Sequence, residues 1–136
     1  MKLDHVGIAT SDLDDSLRFW RTVLGLELIS TEAVQDQQVR VAMLPVGEPR
    51  LELLEPLGPN SPIAKFLAKR GPGLHHVALR VSDIREVLAN LKRQGAHLID
   101  EEPRIGAGGH LIAFVHPSTA GGVLLELVEE FERKAN

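Results

Sequence analysis

Leu3 to Ala9 predicts a β-strand, in which His5 shares a face with Leu3, Gly7 and Ala9 while Val6 and Ile8 point oppositely. The pattern then changes. Leu13, Leu17, Trp20 and Leu24 follow at spacings of four, three and four, which predicts an amphipathic helix with Ser11 or Asp12 as its N-cap and Gly25 as its stop. Three further strands are expected at Leu26 to Thr31, Val39 to Leu44 and Arg50 to Glu55, separated by polar or Pro/Gly stretches such as Val46-Gly47-Glu48-Pro49. Together they make one βαβββ unit.

That pattern recurs along the chain. Asp4-His5-Val6-Gly7-Ile8-Ala9 resembles His75-His76-Val77-Ala78-Leu79-Arg80 at an offset of 71 residues, and Ser11-Asp12-Leu13 meets Ser82-Asp83-Ile84 at the same offset. Leu51-Glu52-Leu53-Leu54-Glu55 matches Leu125-Glu126-Leu127-Val128-Glu129 at an offset of 74, so three residues enter the second copy in a loop. The second unit is expected to run as a strand from His76 to Val81, a helix carrying Ile84, Val87, Leu88 and Leu91 up to Gly95, then strands near His97 to Ile99, Leu111 to Val115 and Val123 to Glu129. Between the copies, Ser61 as N-cap, Pro62 at the first helical position and Gly71 past the end predict a connecting helix. The expected architecture is a single α+β domain over residues 1–136: module one about 1–56, connector about 61–70, module two about 74–130.

Composition narrows what such a domain does. The 136 residues, 43% hydrophobic and 25% charged, suffice for one buried core. Fifteen Lys and Arg against nineteen Asp and Glu give a net charge of −4, which argues against nucleic acid as a partner. No apolar run approaches the roughly 18 residues of a membrane span, and the N-terminus lacks a signal-like segment, so the expected address is the cytoplasm. With no cysteine, any metal must be held by nitrogen and oxygen. The charged end from Glu129 to Lys134 is expected to be exposed.

The repeat also selects among the side chains. His76, not His75, is the equivalent of His5, because alternate strand residues share a face and each of the two has Gly or Ala two positions on. Glu52 and Glu126 are likewise equivalents, although Glu52 shares its face with Arg50 and an ion pair there is an alternative to ligation. Two imidazoles and two carboxylates form a neutral set around a divalent ion, suiting Zn²⁺, Co²⁺, Ni²⁺ or Mn²⁺ better than Ca²⁺. Glu55 and Glu129 fall on the opposite strand face and are expected to point to solvent. His97, His110 and His116 have no repeat partner and are expected at the surface or behind the ligands. Gly106-Ala107-Gly108-Gly109 reads as a flexible turn or a substrate-covering loop, and Lys65, Lys69 and Arg70 as a solvated face or a contact for an anion.

Paired βαβββ units carrying His5, Glu52, His76 and Glu126 resemble the vicinal oxygen chelate superfamily. Within it, Asp4 to Ala9, Glu52-Leu53-Leu54-Glu55-Pro56, Ser61 to Leu67, Gly73-Leu74-His75-His76-Val77-Ala78 and His116-Pro117 followed by Gly121 to Leu127 are similar to the methylmalonyl-CoA epimerase family. The resemblance implies a mixed sheet cupped around a divalent metal held by His5, Glu52, His76 and Glu126. It further implies an acyl-CoA substrate, exchange of the α-proton with Glu126 as one acid/base group, and a homodimer. One element of the family pattern is missing: some relatives carry glutamate where this chain has Val41. Asp36, Glu52 or an ordered water are the alternatives for the second base. A glyoxalase-I-type enzyme on thiol adducts and a metal-free binding module share the architecture; the first typically has Asp-Pro-Asp-Gly before its last ligand strand, where this chain has His116 to Gly122, and the second needs no ligands.

Overall fold

In the computed structural model, residues 1–130 are described; the terminal stretch from Phe131 to Lys134 lies outside them. The elements follow the order β1 (Lys2–Ala9), α1 (Leu13–Leu17), β2 (Ser30–Val34), β3 (Val39–Pro45), β4 (Arg50–Pro56), α2 (Pro62–Arg70), β5 (Gly73–Val81), α3 (Ile84–Arg93), β6 (Arg104–Ile105), β7 (Leu111–Val115) and β8 (Leu125–Glu129). The α+β class expected from the sequence is therefore present, with a mixed sheet in the order β2-β3-β4-β1-β5-β8-β7-β6. Contacts divide the chain into two compact units, His5–His76 and Met1–Asp4 with the chain from Val77 on, so the division falls inside β1 and β5. No helix among the described residues is long and apolar enough to cross a membrane.

In the unit His5–His76, β1 runs parallel to β4, and β3 is antiparallel to both β4 and β2. One sheet face carries Ala42, Leu44 and Leu53 against Leu13 of α1, with Ile8, Leu17, Trp20, Leu26 and Leu28 packed around them. Removing a side chain from such a core, as in Leu53→Ala, costs about 2–5 kcal/mol. Because strand side chains alternate, the other face carries His5, Gly7, Glu52, Leu54, Val41 and their in-register neighbours. The helix packs on one side of the sheet and the chemistry lies on the other.

The unit from Val77 repeats that plan. Strands β5 and β8 are parallel, while β7 is antiparallel to β8 and β6. Val81, Ala113, Val115 and Leu127 meet Ile84 and Leu88 of α3. Ala78, Ile112, Phe114 and Val128 form a separate apolar cluster with Leu124 packed against it. Asp12 and Asp83, equivalents in the repeat, cap their helices through bonds from the Asp15 and Glu86 amides.

Several boundaries differ from the sequence expectation, each for a local reason. The first helix widens after Leu17 into a π-helical turn over Arg18–Val23, and the Leu26 amide bonds back to the Trp20 carbonyl at 3.0 Å. That bond and the packing of Leu26 and Leu28 into the core delay the strand predicted at Leu26 to Thr31 until Ser30. Near His97 to Ile99 only a single bridge forms, Leu98 with Val115, because the Asp100 carboxylate takes the Phe114 amide at 2.9 Å where a continuing strand would supply a carbonyl. The last strand begins at Leu125 rather than Val123, and Gly106 to Gly109 is a tight turn closed by the Gly106 amide on the His110 carbonyl.

Glu55 and Glu129 do not point to solvent. The Glu55 carboxylate accepts the Leu13 amide at 2.6 Å, and the Glu129 carboxylate accepts the Ile84 amide at 3.1 Å. Each receives the first amide of the helix in its own module, one of the donors a helix leaves without an internal partner, and its charge opposes the helix dipole. The sequence expectation failed because the opposite strand face is the helix face.

Candidate functional site

Four ionisable residues inferred from the repeat are nearly excluded from water: His5 is 3% exposed, Glu52 4%, His76 6% and Glu126 6%. Such burial is costly for a carboxylate unless a cation or hydrogen bonds compensate it. Their placement follows from strand register. Gly7 stands beside Glu52 across β1 and β4, with His5 two residues before it; Ala78 stands beside Glu126 across β5 and β8, with His76 two residues before it. The same three-residue arrangement is thus built twice.

Within the unit His5–His76, His5 lies against both His76 and Glu52. His5 Nε2 lies 3.0 Å from His76 Nε2, with the ring planes at 88°. His5 Nδ1 lies 3.1 Å from Glu52 Oε2, which also accepts from Arg50 Nη2 at 3.1 Å. The sequence alternative of an Arg50–Glu52 ion pair is therefore present, and it coexists with the contact to His5. Glu126 lies in the other unit, on β8 beside Ala78 and Phe114.

Gly7 explains how the two imidazoles approach. A Cβ built on Gly7 would lie 2.2 Å from His76 Cε1 and 2.4 Å from His76 Nδ1, so the ring occupies the place a side chain would take. The space left beside His5 is filled by the imidazole of the second repeat.

His75, which the repeat assigns to the opposite face, is half-buried against Phe66 with ring centroids 4.9 Å apart. Its Nδ1 nevertheless lies 2.9 Å from His76 Nδ1. With Nδ1 of His5 beside Glu52 and Nδ1 of His76 beside His75, the two Nε2 atoms are the ones placed to face an ion. Sequence reasoning missed this role because facing alternation assigns adjacent residues to opposite sides; the Gly73-Leu74-His75-His76 run held the signal.

The donor set fits a divalent transition ion. A separation of 3.0 Å between the two Nε2 atoms matches neighbouring ligands on an ion bound at about 2.1 Å, and imidazole with carboxylate suits zinc, cobalt, nickel or manganese. The remaining histidines lie elsewhere. His97 and His116 stack at 4.2 Å and both reach Ser118 Oγ, and His110 Nδ1 lies 3.3 Å from the Glu129 carbonyl. Asp36 is exposed in the turn after β2, and Lys65, Lys69 and Arg70 are exposed on α2.

Comparison with known proteins places this arrangement. Residues 4–114 match the model of the Glyoxalase/Bleomycin resistance protein/Dioxygenase superfamily. The uncharacterized protein YqjC of Bacillus subtilis (strain 168) is 45% identical, the alignment covering 94% of this chain and 91% of that protein. The mitochondrial methylmalonyl-CoA epimerase of Bos taurus is 40% identical over 93% of this chain and 73% of its own length. Among solved structures, a variant of the Streptomyces coelicolor methylmalonyl-CoA epimerase in complex with 2-nitronate-propionyl-CoA superposes with a TM-score of 0.93 at 38% identity, covering 100% of this chain and 99% of that one. The chain belongs to the Glyoxalase/Bleomycin resistance protein/Dioxygenase superfamily and, within it, to the methylmalonyl-CoA epimerases, a family of isomerases.

Proposed function

We propose that the protein interconverts the 2R and 2S epimers of methylmalonyl-CoA by removing and returning the α-proton. The observation that carries the reading is the 3.0 Å approach of His5 Nε2 and His76 Nε2, supported by the epimerase named among the relatives. His5, Glu52, His76 and Glu126 would hold a divalent metal, Co²⁺, Zn²⁺, Mn²⁺ or Ni²⁺. Such an ion supplies Lewis-acid stabilisation of the negative charge that develops on the thioester oxygen.

The protein's own groups do the rest. The carboxylate of Glu126, buried beside Phe114, is one acid/base group: desolvation there favours proton transfer over hydration. Arg50, 3.1 Å from Glu52 Oε2, adds a positive charge beside an otherwise neutral donor set, which suits an anionic malonyl thioester. The family resemblance adds a homodimeric state, measurable by sedimentation. The decisive experiment incubates metal-loaded protein with methylmalonyl-CoA in D₂O. Deuterium is expected at the α-carbon together with loss of optical purity; absence of both overturns the proposal.

A further inference from the structure

Inverting a carbon centre through a planar intermediate requires one group to take the proton from one side and another to return a proton from the opposite side. The reading above names one such group. Within the unit His5–His76, the sheet face that carries His5 and Glu52 holds one other carboxylate on a described strand. Glu32 on β2 stands directly opposite Val41 on β3, and Val41 stands opposite Leu54 on β4, two residues beyond Glu52. Directly opposed residues of antiparallel strands point to the same face, with Cβ atoms about 5 Å apart. Ala42 and Leu44, the alternate residues of β3, point into the helix-side core, which fixes Val41 and therefore Glu32 on the side of the site.

We propose that Glu32 is the second acid/base group, a reading that rests on the epimerase activity proposed above. Three observations converge on it. It is half-buried on an edge strand whose residues Ser30, Thr31 and Ala33 face water more openly, and Val34, the next residue on its face, is buried, so this face of β2 is covered at that end. Its neighbour Val41 is 2% exposed and apolar, giving a wall that lacks a competing proton carrier. Strands lie about 4.8 Å apart, so β2 is about 10 Å from β4. A glutamate side chain reaching across Val41 leaves room for the reacting carbon between itself and the Glu52 edge of the site. Asp36, the other carboxylate considered, is exposed in the turn beyond the end of β2.

The chemistry balances without a further reactant. In one direction ionised Glu32 takes the α-proton, the C–H electron pair remains on the substrate as the enolate, and protonated Glu126 gives its proton to the opposite face. The enzyme is left with the two protonation states exchanged, ready for the reverse substrate. Loss of one of the two groups therefore has a signature that a structural defect lacks. The surviving base still exchanges the α-proton of one epimer with solvent, while epimerisation stops.

The test uses metal-loaded Glu32→Gln with each epimer separately in D₂O, following deuterium incorporation by mass and configuration by coupled assay. Epimerisation is expected to fall at least about a hundredfold. Wash-in should persist from one epimer and vanish from the other, with melting temperature and calorimetric metal affinity unchanged. Glu32→Asp, which keeps the carboxylate, is expected to recover part of the epimerisation. Epimerisation by Glu32→Gln within threefold of the wild type overturns the assignment, as does equal loss of wash-in from both epimers. Wild-type protein that neither exchanges nor epimerises removes the epimerase reading itself, an outcome separate from any behaviour of the variants.

Discussion

The two repeat modules share their scaffold and differ in what they place beside it. Each strand that bears a metal-capable glutamate, Glu52 or Glu126, carries a second glutamate three residues later, and that one binds the first amide of the module's own helix. An odd separation of three along a strand sends the two carboxylates to opposite faces, one to the site and one to the helix. The differences lie around this common frame. Arg50 precedes Glu52 by two where Leu124 precedes Glu126, Gly7 stands where the second copy has Ala78, and the first helix widens into a π-turn while α3 is regular. The repeat supplies matched ligand positions, and the residues beside them make the two halves chemically unequal.

The comparison breaks first at the imidazoles. His76→Ala is expected to abolish tight binding of Zn²⁺ or Co²⁺, at least a hundredfold by calorimetry, and His5→Ala should do the same. His75→Ala removes the partner of His76 Nδ1 together with a ring packed on Phe66, and is expected to weaken binding about tenfold. Equal losses from His75→Ala and His76→Ala would show that the repeat does not distinguish the neighbours. Gly7→Ala comes next. Its Cβ would meet the His76 ring at 2.2 Å, so the ring must move and metal affinity should fall about tenfold or more, measured in the same titration. Ala78→Gly, the matching change in the second copy, should leave affinity within a few-fold, because Ala78 already carries a Cβ.

Much of this was legible from the chain. The offset of 71 residues found His5 and His76 and separated His76 from His75, because a strand's alternation is written directly in the sequence. The cap Ser61 was equally legible, and of the two candidates Ser11 and Asp12 it is Asp12 that caps the first helix. What escaped were facts of register and of close approach. Glu55 looked solvent-facing because sequence shows that it opposes Glu52, without showing that a helix N-terminus covers that side. Glu32 had no repeat partner to draw attention to it and acquires meaning only beside Val41. The strand expected at Leu26 failed because tertiary packing of Leu26 and Leu28 outweighed their strand-like pattern.

A smaller effect tests the unequal neighbours. Arg50→Met keeps most of the side-chain volume and removes the charge shared with Glu52 Oε2. Turnover of a malonyl thioester is expected to fall about tenfold, with KM rising more than kcat falls, if the guanidinium attracts the anionic substrate. Leu124→Met, at the matching place in the second module, should leave both constants within twofold. Steady-state kinetics on the pair decides whether the asymmetry has a chemical use.

The smallest expected effect concerns what the modules share. Glu55→Gln and Glu129→Gln each retain an oxygen that can accept the helix amide while removing the charge that opposes the helix dipole. Each should therefore cost only about 0.5–1 kcal/mol, measured as a shift in the urea midpoint at unchanged slope. Alanine at either place leaves that amide without its carboxylate and should cost about 1–3 kcal/mol. The Glu55 bond at 2.6 Å is shorter than the Glu129 bond at 3.1 Å, so Glu55→Ala should cost the more of the two. If both alanine variants unfold with the wild-type midpoint, the carboxylates are exposed in solution and the shared frame reduces to the ligand-bearing strands. If only the Glu55 change registers, α1, which has five α-helical residues before its π-turn, depends on its strand for an N-terminus that the ten-residue α3 secures by itself.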